Sequence, residues 1–340
     1  INNNRSQHSK SMNQIQPIIY GIGNPLIDVV ISANDEDLIQ LGINKGVMHL
    51  VDVDRQNEIQ TYFQNHDPIY HPGGSAPNTM VACSGLGIPA LIAGKIGKDD
   101  FGDTYIQQAE KYGVISGLVQ DEGVTGSSII LVTPDGERTM NTHLGMCRKF
   151  SKKDINAEKL SRAKFFYFTG YMWDSESQKS AIKSAIEIAH EHNIKIVFDV
   201  ADPFAVNRNK DTFLAMIERD VDVVFANQSE LAILFGTDDY NTSSDTLGGL
   251  VDIAGIKLGK NGSLVLYNGK KTLLPPRPIQ ATDSTGAGDM YAAGFLACLS
   301  KNLGVMRAGE IGGYLAEEII QSPGAQFELN QIQQLKTSLF

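Results

Sequence analysis

The sequence predicts an α/β fold: a three-layer α/β/α sandwich around a mostly parallel sheet, with a small antiparallel β-sheet beside it. Three observations carry this. Short apolar runs rich in β-branched residues recur, each followed by Gly, Asn or Asp, which is how strands buried on both faces of a parallel sheet read. Helical patterns separate those runs, and such alternation places helices on both faces. One stretch breaks the alternation and reads as a hairpin.

In chain order the strand candidates are PIIYGIG (17–23), ALIAGKIG (90–97), FFYFTGY (165–171), IKIVFDV (194–200), DVVFAN (222–227) and SLVLYNG (263–269). The helical stretches are APNTMVACSGLG, TYIQQAEKYG, SQKSAIKSAIEIAHEH, SELAILFG, MYAAGFLACLS and AGEIGGYLAEEII. The exception is GSSIILVTPDGERTMNTHL (126–144), where two extended runs flank a Pro-Asp-Gly turn. Extended DVVISAN (28–34) and GVMHLVD (46–52) are expected to join that hairpin. The organisation expected is a core over 17–340 with a discontinuous β lid from about 30–52 and 122–147.

Composition narrows the function. The 340 residues are enough for one large α/β domain or two small ones. The formal net charge is -10 and no basic run occurs, which argues against a nucleic-acid partner. An acidic surface still admits a phosphorylated ligand, because backbone amides hold phosphate without net charge. No stretch of 18 apolar residues exists, so no membrane helix is expected. The three cysteines, Cys83, Cys147 and Cys298, form no C-x-x-C pair. They read as buried small hydrophobes in a reducing, cytoplasmic setting. The opening INNNRSQHSKSMNQIQ is polar throughout, and residues 1–16 are expected to be a disordered tail.

The chemistry concentrates in Asp283-Ser284-Thr285-Gly286-Ala287-Gly288-Asp289, which directly precedes a small-residue helical pattern. A helix N-terminus has unpaired N–H groups and a partial positive charge, and glycines let those amides approach an anion. The plainer reading is that Asp283, Ser284 or Asp289 caps the helix, which one residue suffices to do. Asp289 is the odd member, since a bare carboxylate repels phosphate. It makes sense facing a neutral hydroxyl whose proton it takes as that oxygen attacks phosphorus.

Other nucleotide signatures fail. Gly94-Lys95 and Gly259-Lys260 lack the Ser or Thr that completes G-x-x-x-x-G-K-S/T. Gly21-x-Gly23 follows a strand, but Asn24-Pro25-Leu26 replaces the rest of a dinucleotide fingerprint.

D-S-T-G-A-G-D resembles the C-terminal signature of the ribokinase-like (PfkB-type) sugar and nucleoside kinases. HPGGSAPNT (71–79) resembles the family's glycine pair and asparagine, ANQSE (226–230) its N-x-x-E element, and LGKNG (258–262) its G-x-x-G stretch. The order and spacing agree over roughly residues 17–325. GIGNPLIDV (21–29) and TPDGERTMNTHLGMC (133–147) are similar to the adenosine-kinase-type branch.

The resemblance implies an ATP-dependent kinase acting on a primary hydroxyl of a nucleoside or sugar, adenosine foremost. By position, Asp289 is then the base, and Gly286, Ala287 and Gly288 form the anion hole. Asp28, Gly73, Gly74 and Asn78 hold sugar hydroxyls with help from Asn24. Arg138 is a lid arginine near the transferring phosphoryl group. Asn227 and Glu230 organise Mg²⁺, largely through water. Asn227, Thr285, Gly286, Gly288, Gly259 and Gly262 face ATP. Alternation in the hairpin puts Met140, Thr142 and Leu144 on one face. In adenosine-kinase-like relatives the matching positions line the base pocket, as does that of Met48. A monovalent cation such as K⁺ and a monomer or homodimer are compatible with the family.

Each candidate has a structural alternative. Asp28 serves equally as a turn former, Gly73-Gly74 as a tight turn before a helix capped by Ser75, Asn227 and Glu230 as cap and helix residues, and Arg138 as a solvated strand residue. Lys257 departs from the family, many of whose members have Thr or Ser there, and is expected to alter contacts to the donor. Asp199-Val-Ala-Asp202-Pro203 is read as an Asp-Pro turn, with a phosphate-facing role as the alternative. His190 and His192 do not share a helical face, so no metal is assigned to them. A sugar kinase of the same family, or an idle nucleoside-binding member, is the competing function.

Overall fold

The computed structural model describes residues 15–340. Of the expected tail, residues 1–14 lie outside the described residues. In chain order the strands are β1 (Ile19–Ile22), β2 (Leu26–Ser32), β3 (Met48–Leu50), β4 (Ile69–Gly73), β5 (Ala90–Gly97), β6 (Ile115–Asp121) and β7 (Gly126–Val132). They continue with β8 (Arg138–His143), β9 (Phe165–Thr169), β10 (Lys195–Asp199), β11 (Val223–Asn227), β12 (Ile253–Lys257), β13 (Ser263–Tyr267) and β14 (Lys270–Leu274).

Among the described residues nine strands form the large sheet, in the order β14-β13-β12-β11-β10-β9-β1-β5-β6. All neighbours from β12 through β6 run parallel, and β13 and β14 finish the sheet as an antiparallel edge. Successive residues of each central strand point to opposite faces, and both faces are covered. Tyr20, Ile22, Phe166 and Phe168 enter one core layer, whereas Ile19, Phe165 and Tyr167 enter the other.

The second sheet has the order β3-β8-β7-β2-β4. It is mixed, not antiparallel as the sequence suggested: β2 runs parallel to β7, and β3 to β8. The reason is connectivity. Strand β2 continues from β1 and β7 from β6, so chains leaving the same edge of a parallel sheet enter the second sheet in the same sense. Strand β4, which the sequence reading did not include, pairs antiparallel with β2. Ile27, Val29, Ile31, Ile129 and Leu131 pack behind this sheet on Leu38, Ile59 and Tyr105. Alternation therefore turns Asp28, Ser128, Met140, Thr142 and Met48 to the other face, where register aligns Asp28 with Ser128, Ser128 with Thr142, and Met140 with Met48.

Several elements were absent from the sequence reading, including β6, β12, β14 and the helices Val53–Tyr62, Pro203–Asp220 and Leu329–Leu339. All three cysteines are buried and free. No described helix is long and apolar enough to cross a membrane.

Candidate active site

Asp199, Asn227 and Lys257 stand at the C-terminal ends of adjacent parallel strands, where open α/β sheets bind ligands. The loop 283–288 meets them there. The helix Ala287–Ser300 starts from Gly286, whose φ of 77° is left-handed, and no side chain caps it. The side-chain capping alternative therefore fails; Ala287 N bonds the Ser284 carbonyl at 3.3 Å, and Ala287 and Gly288 line a cleft. A Cβ on Gly286 would come within 2.7 Å of the Ala325 backbone, so only glycine fits. Asp283 turns away from the helix. It accepts from Thr285 N at 3.0 Å, Thr285 Oγ1 at 2.6 Å, Gly324 N at 2.9 Å and Arg138 Nη1 at 2.7 Å. Burial works against ionisation of Asp283, but these donors outweigh it and hold its carboxyl below the usual range. Thr285 spends its hydroxyl on this loop. Arg138 is no solvated strand residue: it joins β8 of the second sheet to the 283–288 loop.

Asp289 lies in the first turn of that helix. Its Oδ1 accepts from Ser75 Oγ at 2.6 Å and its Oδ2 from Asn78 Nδ2 at 2.9 Å. Burial pushes its pKa up to about 7, partly opposed by those two bonds, with Asp199 raising it further and Lys257 lowering it. A carboxyl that ionises near neutrality is suited to take a proton. Ser75 does not cap its helix. The cap position of helix Ser75–Gly85 is Gly74, at φ 98°, and Ser75 instead orients Asp289.

Asp28 faces this point from β2. Burial raises its pKa to about 7, Arg138 opposes the rise, Asp289 adds to it, and no hydrogen bond lowers it. Gly73 lies diagonally across on β4, paired with Leu26, where any Cβ would overlap the Asp28 carboxylate, and a Cβ on Gly74 would overlap the Asn24 carbonyl. Both glycines thus make room for Asp28 and its loop. Asn24 is placed differently from the expectation. Its Oδ1 accepts from Gln178 Nε2 at 2.7 Å and its Nδ2 lies 3.5 Å from the Tyr171 carbonyl, so it builds the loop that carries β2. Met48, Met140 and Thr142 share the Asp28 face, whereas Leu144 sits one residue past β8 and is buried.

On the opposite side of Asp289, Lys257 Nζ lies 3.1 and 3.2 Å from the Asp199 oxygens. Burial disfavours this ammonium, yet Asp199 and Glu230 outweigh that and keep its pKa above the usual value. A Cβ on Gly288 would be 3.2 Å from Lys257 Nζ, so the cation sits against the helix N-terminus. Asp202 caps helix Pro203–Asp220, accepting from Phe204 N at 2.7 Å and Ala205 N at 3.2 Å. Asp202 thus starts a helix where the sequence suggests an Asp-Pro turn, while Asp199 pairs with Lys257 at the strand ends.

Asn227 and Glu230 form a reciprocal capping box. Glu230 accepts from Asn227 N at 2.8 Å and Asn227 Nδ2 at 2.6 Å, and Asn227 Oδ1 accepts from Glu230 N at 2.9 Å. Each satisfies the other, so a directly ligated Mg²⁺ does not fit this pair. Among the described residues no cluster of three His, Cys, Asp or Glu side chains is set to hold a metal.

A cleft of about 1200 Å³ opens beside Lys257 and the 283–288 loop, with Gly259 and Gly262 on its wall. The sequence reading missed its outer wall. There the Arg277 guanidinium stacks 4.0 Å above the Tyr314 ring and pairs with Glu317 and Glu318. Gln326 has no signal in the sequence either, whereas Ser75 reads there as a cap and Asp199 as part of a turn or as a phosphate-facing residue.

The profile of the pfkB family carbohydrate kinases matches residues 46–332. An adenosine kinase of Schizosaccharomyces pombe is 25% identical over 337 residues, covering 92% of this chain and 96% of its own. An ATP-dependent ribose-1-phosphate kinase of Halopiger xanaduensis is 30% identical over 243 residues, covering 70% of this chain and 76% of its own. The crystal structure of adenosine kinase from Sinorhizobium meliloti superposes with a TM-score of 0.88 at 30% identity, covering 95% of this chain and 99% of that one. The chain, with its large mostly parallel sheet, its second smaller sheet and its glycine-framed loop at 283–288, belongs to the pfkB family of carbohydrate kinases.

Proposed function

We propose that this protein is an ATP-dependent kinase that phosphorylates a primary hydroxyl of a nucleoside, with adenosine to AMP as its reaction. The observation that carries the reading is the setting of Asp289: a buried carboxyl with a pKa near 7, at an uncapped helix N-terminus, between the Asp28 face and the 1200 Å³ cleft.

The acceptor lies against the second sheet, its ribose hydroxyls on Asp28, and ATP lies in the cleft beside Lys257. Asp289 takes the proton of the acceptor hydroxyl as that oxygen bonds to the γ-phosphorus. The bond from phosphorus to the bridging oxygen breaks, and ADP leaves with its electron pair. Amides at 286–288, Lys257 and Arg138 offset the charge on the transferring group. Closure of the second sheet over the acceptor excludes water, which limits ATP hydrolysis. Mg²⁺ is read as a companion of the ATP phosphates and not as a resident ion, since Asn227 and Glu230 satisfy each other.

The wall beside Asp28 favours a nucleoside. Met48 and Met140 pair in register there, and thioethers suit the polarizable face of a purine. The hydroxyls of Ser128 and Thr142 on the same face hydrogen-bond each other at 2.8 Å, leaving little for a second sugar ring. The similarity to a ribose-1-phosphate kinase keeps a sugar acceptor as the second reading. An assay of ATP consumption across purine nucleosides, ribose and fructose separates them. Adenosine should give the highest kcat/KM. A free sugar exceeding every purine nucleoside would overturn the nucleoside reading, and ATP consumption that no acceptor stimulates would overturn the kinase reading.

A further inference from the structure

Residues Gly324, Ala325 and Gln326 lie between the last two helices, Val305–Ile319 and Leu329–Leu339. They touch three parts of the site in succession. Gly324 N donates to Asp283, and Ala325 packs on Gly286. Gln326 Nε2 donates to Asn78 Oδ1 at 2.8 Å and to the Pro72 carbonyl at 3.0 Å. We propose that Gln326 is a positioning residue for phosphoryl transfer, which fixes the Asn78 amide so that its N–H group, and not its oxygen, faces Asp289.

A side-chain amide has a donor end and an acceptor end, and a reversed amide presents the wrong one. The Pro72 carbonyl can only accept, so Gln326 must turn its nitrogen toward it. That same nitrogen then faces Asn78, which must offer its oxygen. The nitrogen of Asn78 is left to donate to Asp289 Oδ2, 2.9 Å away. Pro72 belongs to β4 of the second sheet, so the polarity of the base is set from the sheet that carries Asp28. Ser75 does not supply this control, because a hydroxyl rotates to suit whatever faces it.

The inference rests on Asp289 being the base, and the experiment is arranged to tell the two failures apart. Asp289 is faced by Ser75 and Asn78, by Asp199 and Lys257 from the large sheet, by Asp28 from the second, and by the Tyr167 and Tyr171 hydroxyls. Gln326→Met removes the donor without adding charge to this set. Gln326→Glu replaces it by an acceptor.

The measurement is kcat against pH for the full chain with ATP and adenosine, for wild type, both variants and Asp289→Asn. Gln326→Met should lower kcat about three- to tenfold, and its acid limb should move up by on the order of 0.5–1 pH unit. Gln326→Glu should move it further, and the KM for ATP should stay near wild type in both. Urea unfolding midpoints identify a variant that has simply lost its fold, and the other variant then decides. An acid limb that is present in wild type and unmoved in the folded variants overturns the Gln326 inference alone. An effect confined to the ATP KM does the same. If wild type has no acid limb, or Asp289→Asn keeps its kcat, the base assignment falls and the inference with it.

Discussion

Lys257 and Asp199 form a buried ion pair, Nζ to Oδ1 3.1 Å, between the ends of β12 and β10. Both side chains are largely withdrawn from water, at 17% and 3% exposure, so removing one strands the other. Lys257→Met should destabilise the fold by about 3–5 kcal/mol at pH 7. Adding Asp199→Leu should restore most of that loss without restoring ATP affinity. Urea denaturation and the KM for ATP read the two effects separately. An unchanged urea midpoint in the single variant would refute the structural role of the pair.

Asp289 must be ionised to accept a proton, and its pKa is raised to about 7. Phosphorylation should therefore fall as pH drops below about 7, and Asp289→Asn should lose about 10²–10⁴ in kcat at pH 8. Substrate binding should persist. Retention of more than about a tenth of the wild-type kcat would contradict the role.

Asp28 carries a stability signature of opposite sense to an ordinary salt bridge. Its pKa rises from 3.8 to about 7 on folding, so between those values the folded chain holds more protons than the unfolded one. Stability from this group is present below about pH 4 and declines as pH rises toward 7. Asp28→Asn should be more stable than wild type at pH 8, by on the order of 1–3 kcal/mol, with the advantage vanishing near pH 4. The same variant should raise the KM for the acceptor and leave that for ATP nearly unchanged. Denaturation at both pH values, with paired kinetics, checks both halves.

A Cβ at residue 73 would overlap the Asp28 carboxylate. Gly73→Ala should therefore displace Asp28 and weaken acceptor kcat/KM at least about tenfold, the scale of a lost charged hydrogen bond. The donor side should be spared. Loss of ATP affinity with normal acceptor kinetics would place the two glycines elsewhere in the mechanism.

Much of the site was legible because its physics is local. The Gly286-Ala287-Gly288 turn needs left-handed backbone and close approach, and glycine announces both. The central strands were legible because burial on both faces removes polar residues from them. Strand β14, KKTLL, is exposed at the sheet edge and has no such pattern. The helix Pro203–Asp220 was read as a turn although Asp202 before Pro203 is a helix-start signature, cap and first residue. The partners of Asp289 were not legible at all. Ser75 lies 214 residues away from it and Gln326 lies 248 from Asn78, and nothing in either local sequence announces the contact. The same holds for the parallel pairing of β2 with β7, which depends on where the chain leaves the large sheet.

The buried cysteines turn the chain into its own reporter of opening. Alkylation and disulfide exchange need thiolate, and burial pushes all three thiols toward the protonated form. Reagents thus reach sulfur only when the structure breathes. Cys83 and Cys298 share one core layer of the large sheet and become reactive together when that layer parts. Cys147 lies elsewhere, its Sγ donating to the Pro25 carbonyl at the crossing from β1 to β2, so it times the separation of the two sheets. Three labelling rates from one molecule therefore distinguish loosening at the junction from global unfolding.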